Sequence, residues 1–366
     1  MDTVRRCTQE DLPAVAGLFQ KIFRREPNSS PLSLQSYLKE VYFENPWYDE
    51  SIASLVYESD GVIAGFVGSF PFPFRLNGSR IMAVLAGNLM VDPGKRNSMA
   101  ATRLLKQLFA GPQDATMTDT STDNARKLWE ALGCATIHTY SLQWFRLLRP
   151  ARFSAFLATR MSSALAPLEL ISRPLSSAID GLLRMPSASH FRVPESGLAD
   201  DELTIEILLD GIDKFCREKS LVPAYDQRFL QWLLDKANEK REFGAMRKVS
   251  LYNGARSLVG WYLYYPNPGK VGQVLQCAAR PRAESEVLRH LLNDALAHGS
   301  LALMGRFDPQ MVRELSLLNS VFTNRGSHVQ AYCKKAELIH ALQSGDAFFS
   351  RLEGEWWTRL QGDRFE

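Results

Sequence analysis

Residues Val91 to Leu108 read VDPGKRNSMAATRLLKQL. An apolar strand ends at Val91, Asp92-Pro93-Gly94 breaks it, and Lys95 and Arg96 add charge. From Ala100 onward, Leu104, Leu105 and Leu108 recur at helical spacing. A strand, a basic turn and a helix in this order form a phosphate cradle, because the first amides of a helix are unpaired and its N-terminal end is positive. The amides of Asn97, Ser98, Met99, Ala100 and Ala101 are the candidate donors. Such turns commonly carry glycine where the backbone approaches a ligand or takes positive φ. Here the residue is Met99, which is expected to avoid positive φ and to crowd a ligand.

The strand feeding this turn, RIMAVLAGNLMV, is apolar on both faces and is therefore expected to be central in its sheet. Upstream lie a short strand at TVRRCT, two helical patterns, and hairpins at Ser59-Asp60-Gly61 and Asn77-Gly78. Downstream, QDATMTDT reads as a strand, TDNARKLWEALG as a helix closed by Gly133, and CATIHTYSLQWFRLL as a strand. After about residue 198 the order restarts. ELTIEILL reads as a strand, two helices follow, and RKVSLYN pairs with SLVGWYLYY. Then come KVGQVLQCAAR, a helix, LALMGRF, a helix and HVQAYCKK. One architecture thus occurs twice with little residue identity. The divisions read from the sequence are residues 1–149, a helical linker rich in Ala, Ser and Pro over 150–198, a second domain over 199–336, and a C-terminal tail over 337–366 pinned by Trp356 and Trp357.

A chain of 366 residues suits two domains. The net charge of +3 gives no argument for nucleic acid. The 5 cysteines are scattered and form no CxxC pair, which argues against zinc and a disulfide framework and for a reducing compartment. No leader-like apolar segment opens the chain and no run approaches a membrane span, so the expected location is cytoplasmic. From Arg149 to Arg184 there are five arginines against Glu169 and Asp180. That stretch reads either as a packed linker or as a basic amphipathic contact, over 150–190, with an anionic membrane surface. No GxGxxG after a strand, GxxxxGK[ST], HExxH or GxSxG occurs.

The order of elements, with an arginine turn after the central strand, resembles the GNAT acyltransferase superfamily over Thr3 to Leu148, and more weakly over Glu202 to Lys335. The family pattern Val-x-Pro-x-x-Arg-x-x-Gly-x-Gly/Ala is matched by Val91, Pro93, Arg96 and Ala101, with Met99 in place of the first glycine. The resemblance implies an α/β fold of two GNAT-like domains, each a mixed, mostly antiparallel twisted sheet flanked by helices. It also implies acetyl-CoA or another acyl-CoA as co-substrate, with no metal. The backbone of Leu89, Met90 and Val91 would polarise the thioester. A second family pattern, Asn-x-x-Ala-x-x-x-Tyr, falls on Thr122, Ala125 and Trp129. Because an indole cannot protonate a thiolate, Tyr140 or His138 on the next strand would have to substitute.

Asp119, at a strand carboxyl end, is the candidate general base, and Asn88 a candidate for orienting substrate. Asp123 reads as a helix cap or first-turn acid. In the second half no glycine follows Arg280-Pro281-Arg282, and Glu284 and Glu286 would repel a pyrophosphate. That half is expected to be GNAT-shaped without binding CoA, with Arg306 and Asp308 as candidate contacts to an anionic substrate. The implied function is direct acyl transfer to an amine on a small molecule, sugar or amino acid held between the domains. The alternatives are a degenerate relative that binds acyl-CoA, an acyl carrier or a sugar without turnover, and a scaffold at a membrane surface.

Overall fold

The computed structural model describes residues 2–26, 29–161, 166–185, 190–324 and 326–366. In chain order the first half contains β1 (Thr3–Arg6), α1 (Leu12–Phe19), α2 (Leu32–Tyr42), β2 (Leu55–Ser59), β3 (Val62–Leu76), β4 (Ser79–Val91), α3 (Ala100–Phe109), β5 (Ala115–Ser121) and α4 (Asp123–Ala131). It continues with β6 (Ala135–Thr136), α5 (His138–Ser141) and β7 (Gln143–Leu147). A helical hairpin follows, α6 (Pro150–Met161) and α7 (Ala166–Arg184). The second half contains β8 (Ala199–Glu202), α8 (Ile205–Phe215), β9 (Leu221–Pro223), α9 (Gln227–Asn238), β10 (Arg247–Tyr252), β11 (Leu258–Tyr265) and β12 (Val271–Ala279). It closes with α10 (Glu284–Ala297), β13 (Ala302–Arg306), α11 (Val312–Leu317), β14 (Val321–Thr323), β15 (His328–Cys333) and α12 (Ala336–Ser344).

Two mixed, mostly antiparallel sheets result. One runs β1-β2-β3-β4-β5-β15-β6, with β9 added on β3. The other runs β14-β7-β13-β12-β11-β10-β8. The long strands β3 and β4 are buried along nearly all their length, as an apolar pattern on both faces requires. Their turn takes φ 48° at Asn77 and 80° at Gly78, the left-handed pair that suits the twist of a tight hairpin. Each sheet contains one parallel pair, β4 with β5 and β12 with β13, and each of these pairs brackets a helix, α3 or α10.

The linear division of the chain is not the division of the sheets. CATIHTYSLQWFRLL does not continue as one strand: a helical turn, α5, splits it. Its second part, β7, leaves for the second sheet and lies between β13 and β14. In return β15 crosses to the first sheet and lies between β5 and β6. A second difference falls at ELTIEILL. Thr204 accepts a hydrogen bond from the Ile207 amide at 3.4 Å and starts α8, so most of that stretch is helix. The linker forms two helices, and the second, α7, runs through Pro174.

Residues 345–366 belong to the stretch read as a C-terminal tail. They thread between the two sheets, and Leu352, Trp357, Leu360 and Phe365 are buried in one core with Phe70 and Phe72 of β3, Phe229 of α9 and Trp261 of β11. The far face of the first sheet packs against α3 through Leu104, Leu105 and Phe109, and the far face of the second against α10 through Val287, Leu288 and Leu291. Among the described residues no helix is long and apolar enough to cross a membrane.

Because β15 supplies hydrogen bonds to strands on both sides, proline at Ala331 should disrupt the first sheet. Ala331→Pro is expected to lower stability by about 3 kcal/mol or more in chemical denaturation. A loss under about 1 kcal/mol would show that the crossed strand is dispensable.

Candidate functional site: the gap between two parted strands

Pairing between β4 and β5 stops early. Ala83, Val84 and Leu85 face Ala115, Thr116 and Met117, and beyond them the strands separate. The register of β4 against β3 also slips: Gly68 faces Gly87 and Phe66 faces Met90, so Asn88 and Leu89 have no one-to-one partner. Asn88 takes up the bulge at φ 52°, a left-handed conformation that asparagine tolerates better than most residues. Its Nδ2 donates to the Tyr42 hydroxyl at 2.7 Å.

The parted strands open a cavity of about 320 Å³. Asn88 and Leu89 line one side of it and Thr118, Thr120 and Ser121 the other. Leu105 of α3, Trp129, Ala125 and Thr122 of α4, and Glu355 and Gln361 complete the wall. Thr122 caps α4 by accepting from the Ala125 amide at 3.4 Å. Trp129 is buried, edge-on to Phe109, and serves as wall. Met90 is buried in the opposite core, and Val91 pairs with Gly65.

At the mouth of the gap the turn has the form the sequence suggests, with one difference. Asp92 accepts from the Gly94 amide at 2.9 Å and from Lys21 at 2.7 Å, and Pro93–Ser98 form a tight helical segment. Met99 then takes φ 57°, ψ 20°, and α3 begins. The expectation that Met99 avoids positive φ is therefore wrong. It holds the left-handed conformation itself, as a non-glycine residue, and directs its side chain outward with 64 % of its surface exposed. The first bond of the helix joins the Arg103 amide to the Met99 carbonyl at 2.9 Å, so the amides of Ala100, Ala101 and Thr102 precede the ladder. The side chains of Arg96, Asn97 and Ser98 lie outside what the structure describes.

The chemical centre of the cavity is a residue the sequence did not nominate. Glu355, 7 % exposed, reaches in from the C-terminal segment. Its Oε1 accepts from Thr118 at 2.8 Å and also from Thr120. Its Oε2 is buried with no hydrogen-bond partner. Burial, and then the negative charge of Asp119, hold this carboxyl well above the usual carboxylate range. The approach needs two glycines: a Cβ on Gly87 would lie 2.3 Å from Glu355 Oε2, and one on Gly354 would lie 2.1 Å from Asp119 Oδ2. The segment is held along its length. The Glu355 amide donates to Asp119 at 2.7 Å, the Arg359 amide to the Tyr37 hydroxyl at 3.0 Å, and Arg24 to the Asp363 carbonyl at 2.7 Å. Lys240 donates to the Thr358 carbonyl at 2.9 Å, and burial pulls its ammonium down to about 8.

Several nominated residues are engaged elsewhere. Asp119 does not line the cavity. Its Oδ1 is spent on the Glu355 amide and its Oδ2 on Arg306 at 2.6 Å, and its side chain has no exposure. Arg306 is thereby a buried tie, which also donates to the Ser350 carbonyl at 2.8 Å and lies over the Phe349 ring. Asp308 accepts from the Gln310 amide at 2.9 Å ahead of α11, and burial raises its carboxyl. Tyr140 and His138 sit on the helical turn α5, so they do not share a strand face. The Tyr140 hydroxyl donates to the Ala347 carbonyl at 2.6 Å, and burial pushes it up. His138, with Asp123, Arg126, Phe307, Asn324 and His328, lines a separate open recess of about 750 Å³ beside the start of α4.

The second sheet repeats the parting. β12 meets β13 only from Val271 to Gln273, and the gap beyond holds just 30 Å³ because Phe348, Phe349 and Ser350 occupy it. The chain's own residues fill in the second half the space that stays open in the first.

The left-handed Met99 carries a conformational cost that glycine would not. Met99→Gly is expected to raise stability by about 1 kcal/mol in denaturant titration, whereas Met99→Val should lower it. An unstrained turn would show the reverse for glycine.

A family model described as an acetyltransferase (GNAT) domain matches residues 3–117. No curated protein matches the sequence. Among solved structures, a conserved protein of Enterococcus faecalis V583, a probable N-acyltransferase, superposes with a TM-score of 0.61 at 11% identity, covering 91% of this chain and 73% of that one. A GCN5-related N-acetyltransferase of Anabaena variabilis gives 0.58 at 9% identity, over 91% and 73%. Saccharomyces cerevisiae N-myristoyltransferase with bound myristoyl-CoA gives 0.51 at 10% identity, over 90% and 77%. At such identities the structural likeness is one of fold. Residues 3–117 are thus similar to the acetyltransferase (GNAT) domain, and the two sheets of the chain have a GNAT-like fold.

Proposed function

We propose that the chain is an N-acyltransferase that holds an acyl-CoA thioester between β4 and β5 and passes the acyl group directly to an amine. The observation that carries this reading is the open gap itself, with the unbonded oxygen of Glu355 at its centre. The pyrophosphate rests on the turn from Arg96 to Ala101, where amides and the positive helix end favour its oxygens. The pantetheine runs between α3 and α4, along Leu105, Ala125 and Trp129. The backbone at the Asn88 bulge, through Leu89, faces the thioester oxygen. A polar acceptor, a small amine or an amino sugar, approaches from the recess of His138 and Asp123, which residues of both halves line.

Glu355 is the proton carrier in this scheme. The amine nitrogen attacks the thioester carbonyl and the C–S bond breaks. The proton lost by nitrogen passes to Glu355 and then to the departing CoA thiolate, so that amide and thiol form with no net proton change. A carboxyl raised above its ordinary range accepts a proton from an ammonium more readily than an unshifted one, and still returns it near neutral pH. No covalent enzyme intermediate is required, and Trp129 need not act as an acid.

Acetyl-CoA or a longer acyl-CoA should raise the melting temperature, by about 2.7 kcal/mol of stabilisation at a hundredfold excess over Kd. Arg96→Glu should abolish that shift. No shift at any chain length would overturn the site. Binding without CoA release against a panel of amines would instead favour the non-catalytic relative.

Glu355→Gln should keep acyl-CoA binding and lower kcat by about 10²–10⁴. The wild-type rate should rise with pH as Glu355 deprotonates, and the variant should lose that limb. Stability moves the opposite way. The folded state holds the Glu355 proton more tightly than the unfolded chain, so this contribution is full below the ordinary carboxylate value and is lost as pH rises through the raised folded value. The variant should therefore gain stability relative to wild type as pH increases. A constant difference across pH would show that Glu355 is not shifted.

A further inference from the structure

The hairpin of α6 and α7 stands outside the cores that hold the two sheets together. No residue of α6 is buried, and none of the described side chains from 150 to 192 belongs to a core cluster. Of the described side chains of α7, Ser176 and Asp180 are buried. Yet the hairpin is rich in large apolar residues. Leu175, Ile179 and Leu182 recur at spacings of four and three, which sets them in one stripe along α7, and they are 67%, 39% and 65% exposed. On α6, Leu157 and Met161 are four residues apart and 44% and 89% exposed. An apolar stripe of this length left in water on a folded chain marks a surface made to meet another apolar phase.

The charge on the hairpin says which phase. Arg149, Arg152 and Arg184 gather where the start of α6 meets the end of α7. Asp180, the acid among them, spends its two oxygens on the amides of Ala151 and Arg152 at 2.8 and 3.2 Å. Arg184 donates to the Asp180 carbonyl at 3.0 Å, and Arg149 to the Leu296 carbonyl at 2.8 Å. Burial, and after it the charges of Arg184 and Arg152, pull the Arg149 guanidinium below its usual value, with Asp180 acting the other way. Arg160, further along α6, lies over the Phe156 ring at 5.2 Å. The described side chains of α6 include no acid.

We infer that this hairpin is a lipid-docking element that lies on the surface of an anionic bilayer. Leu175, Ile179 and Leu182 enter the acyl boundary and the arginine cluster meets the headgroups. Neither helix spans the bilayer. A short amphipathic element with basic residues binds in the interface plane, with an affinity that depends on lipid charge and on salt. Neutral protein partners would not call for the arginine cluster, and an acidic one would not call for the leucine stripe.

Flotation of the full chain with vesicles tests this. With phosphatidylcholine–phosphatidylglycerol vesicles the protein should co-float at low salt, and with phosphatidylcholine alone it should stay in the dense fraction. Leu175→Glu/Leu182→Glu, both at exposed positions, should melt as the wild type does and bind anionic vesicles at least about tenfold more weakly. Arg152→Gln/Arg184→Gln should reduce the salt dependence. Three results would each overturn the inference: no flotation with either vesicle, equal flotation of the leucine double variant, or a wild-type dimer that the double variant breaks while neither form floats.

Discussion

A carboxylate with no exposed surface, on Asp119, joins three parts of the chain that are remote in sequence. One oxygen takes Arg306 from the end of β13, and the other takes the Glu355 amide from the C-terminal segment. The strand ends of both sheets and the segment between them therefore meet at one buried group. Removing either charge of such a pair leaves the other buried and alone, at a cost of about 3–5 kcal/mol. The site depends on this knot, since Glu355 reaches the gap because its backbone is fastened to Asp119, one residue beyond Thr118 and one before Thr120, which bond its side chain. Position and chemistry come from the same few ångströms of β5.

Much of the fold was legible because its signals are local. Asn77-Gly78, the apolar run of β4, the helix of α3 and the Gly133 stop each follow from neighbouring residues. So did the repeated order of elements, and with it the two mixed sheets. The crossed strands were not legible. β7 and β15 have the same alternating pattern whichever sheet they join, and nothing within either strand names its partner. The turn at α5 was hidden for a related reason, because His138, Thr139 and Tyr140 suit a strand as well as a helical turn.

The site was half legible. Asn88, Leu89, Thr122, Ala125 and Trp129, each named from the sequence, line one cavity, because they belong to neighbouring elements. Asp119 stands at the end of β5 beside the gap, with both oxygens committed to Arg306 and the Glu355 amide. Glu355 lies 235 residues from the Thr120 hydroxyl that it accepts from. A glutamate between one glycine, Gly354, and two tryptophans, Trp356 and Trp357, has no local mark of chemistry. The one available hint was the density of aromatic residues around it, which signals a segment made for burial, and burial is what shifts a carboxyl.

The return of β15 to the first sheet also governs the order of assembly. During synthesis β1 to β5 leave the ribosome with the edge of β5 open, and its partner is still untranslated while the whole second half is made. Contacts closed over such separations make folding slow and leave a strand edge exposed to other chains meanwhile. A nascent chain that has finished its phosphate turn still lacks Glu355. The sheet that is started first is thus the last to be completed, and a chain cut short before residue 355 would lack the carboxyl that reaches the parted strands.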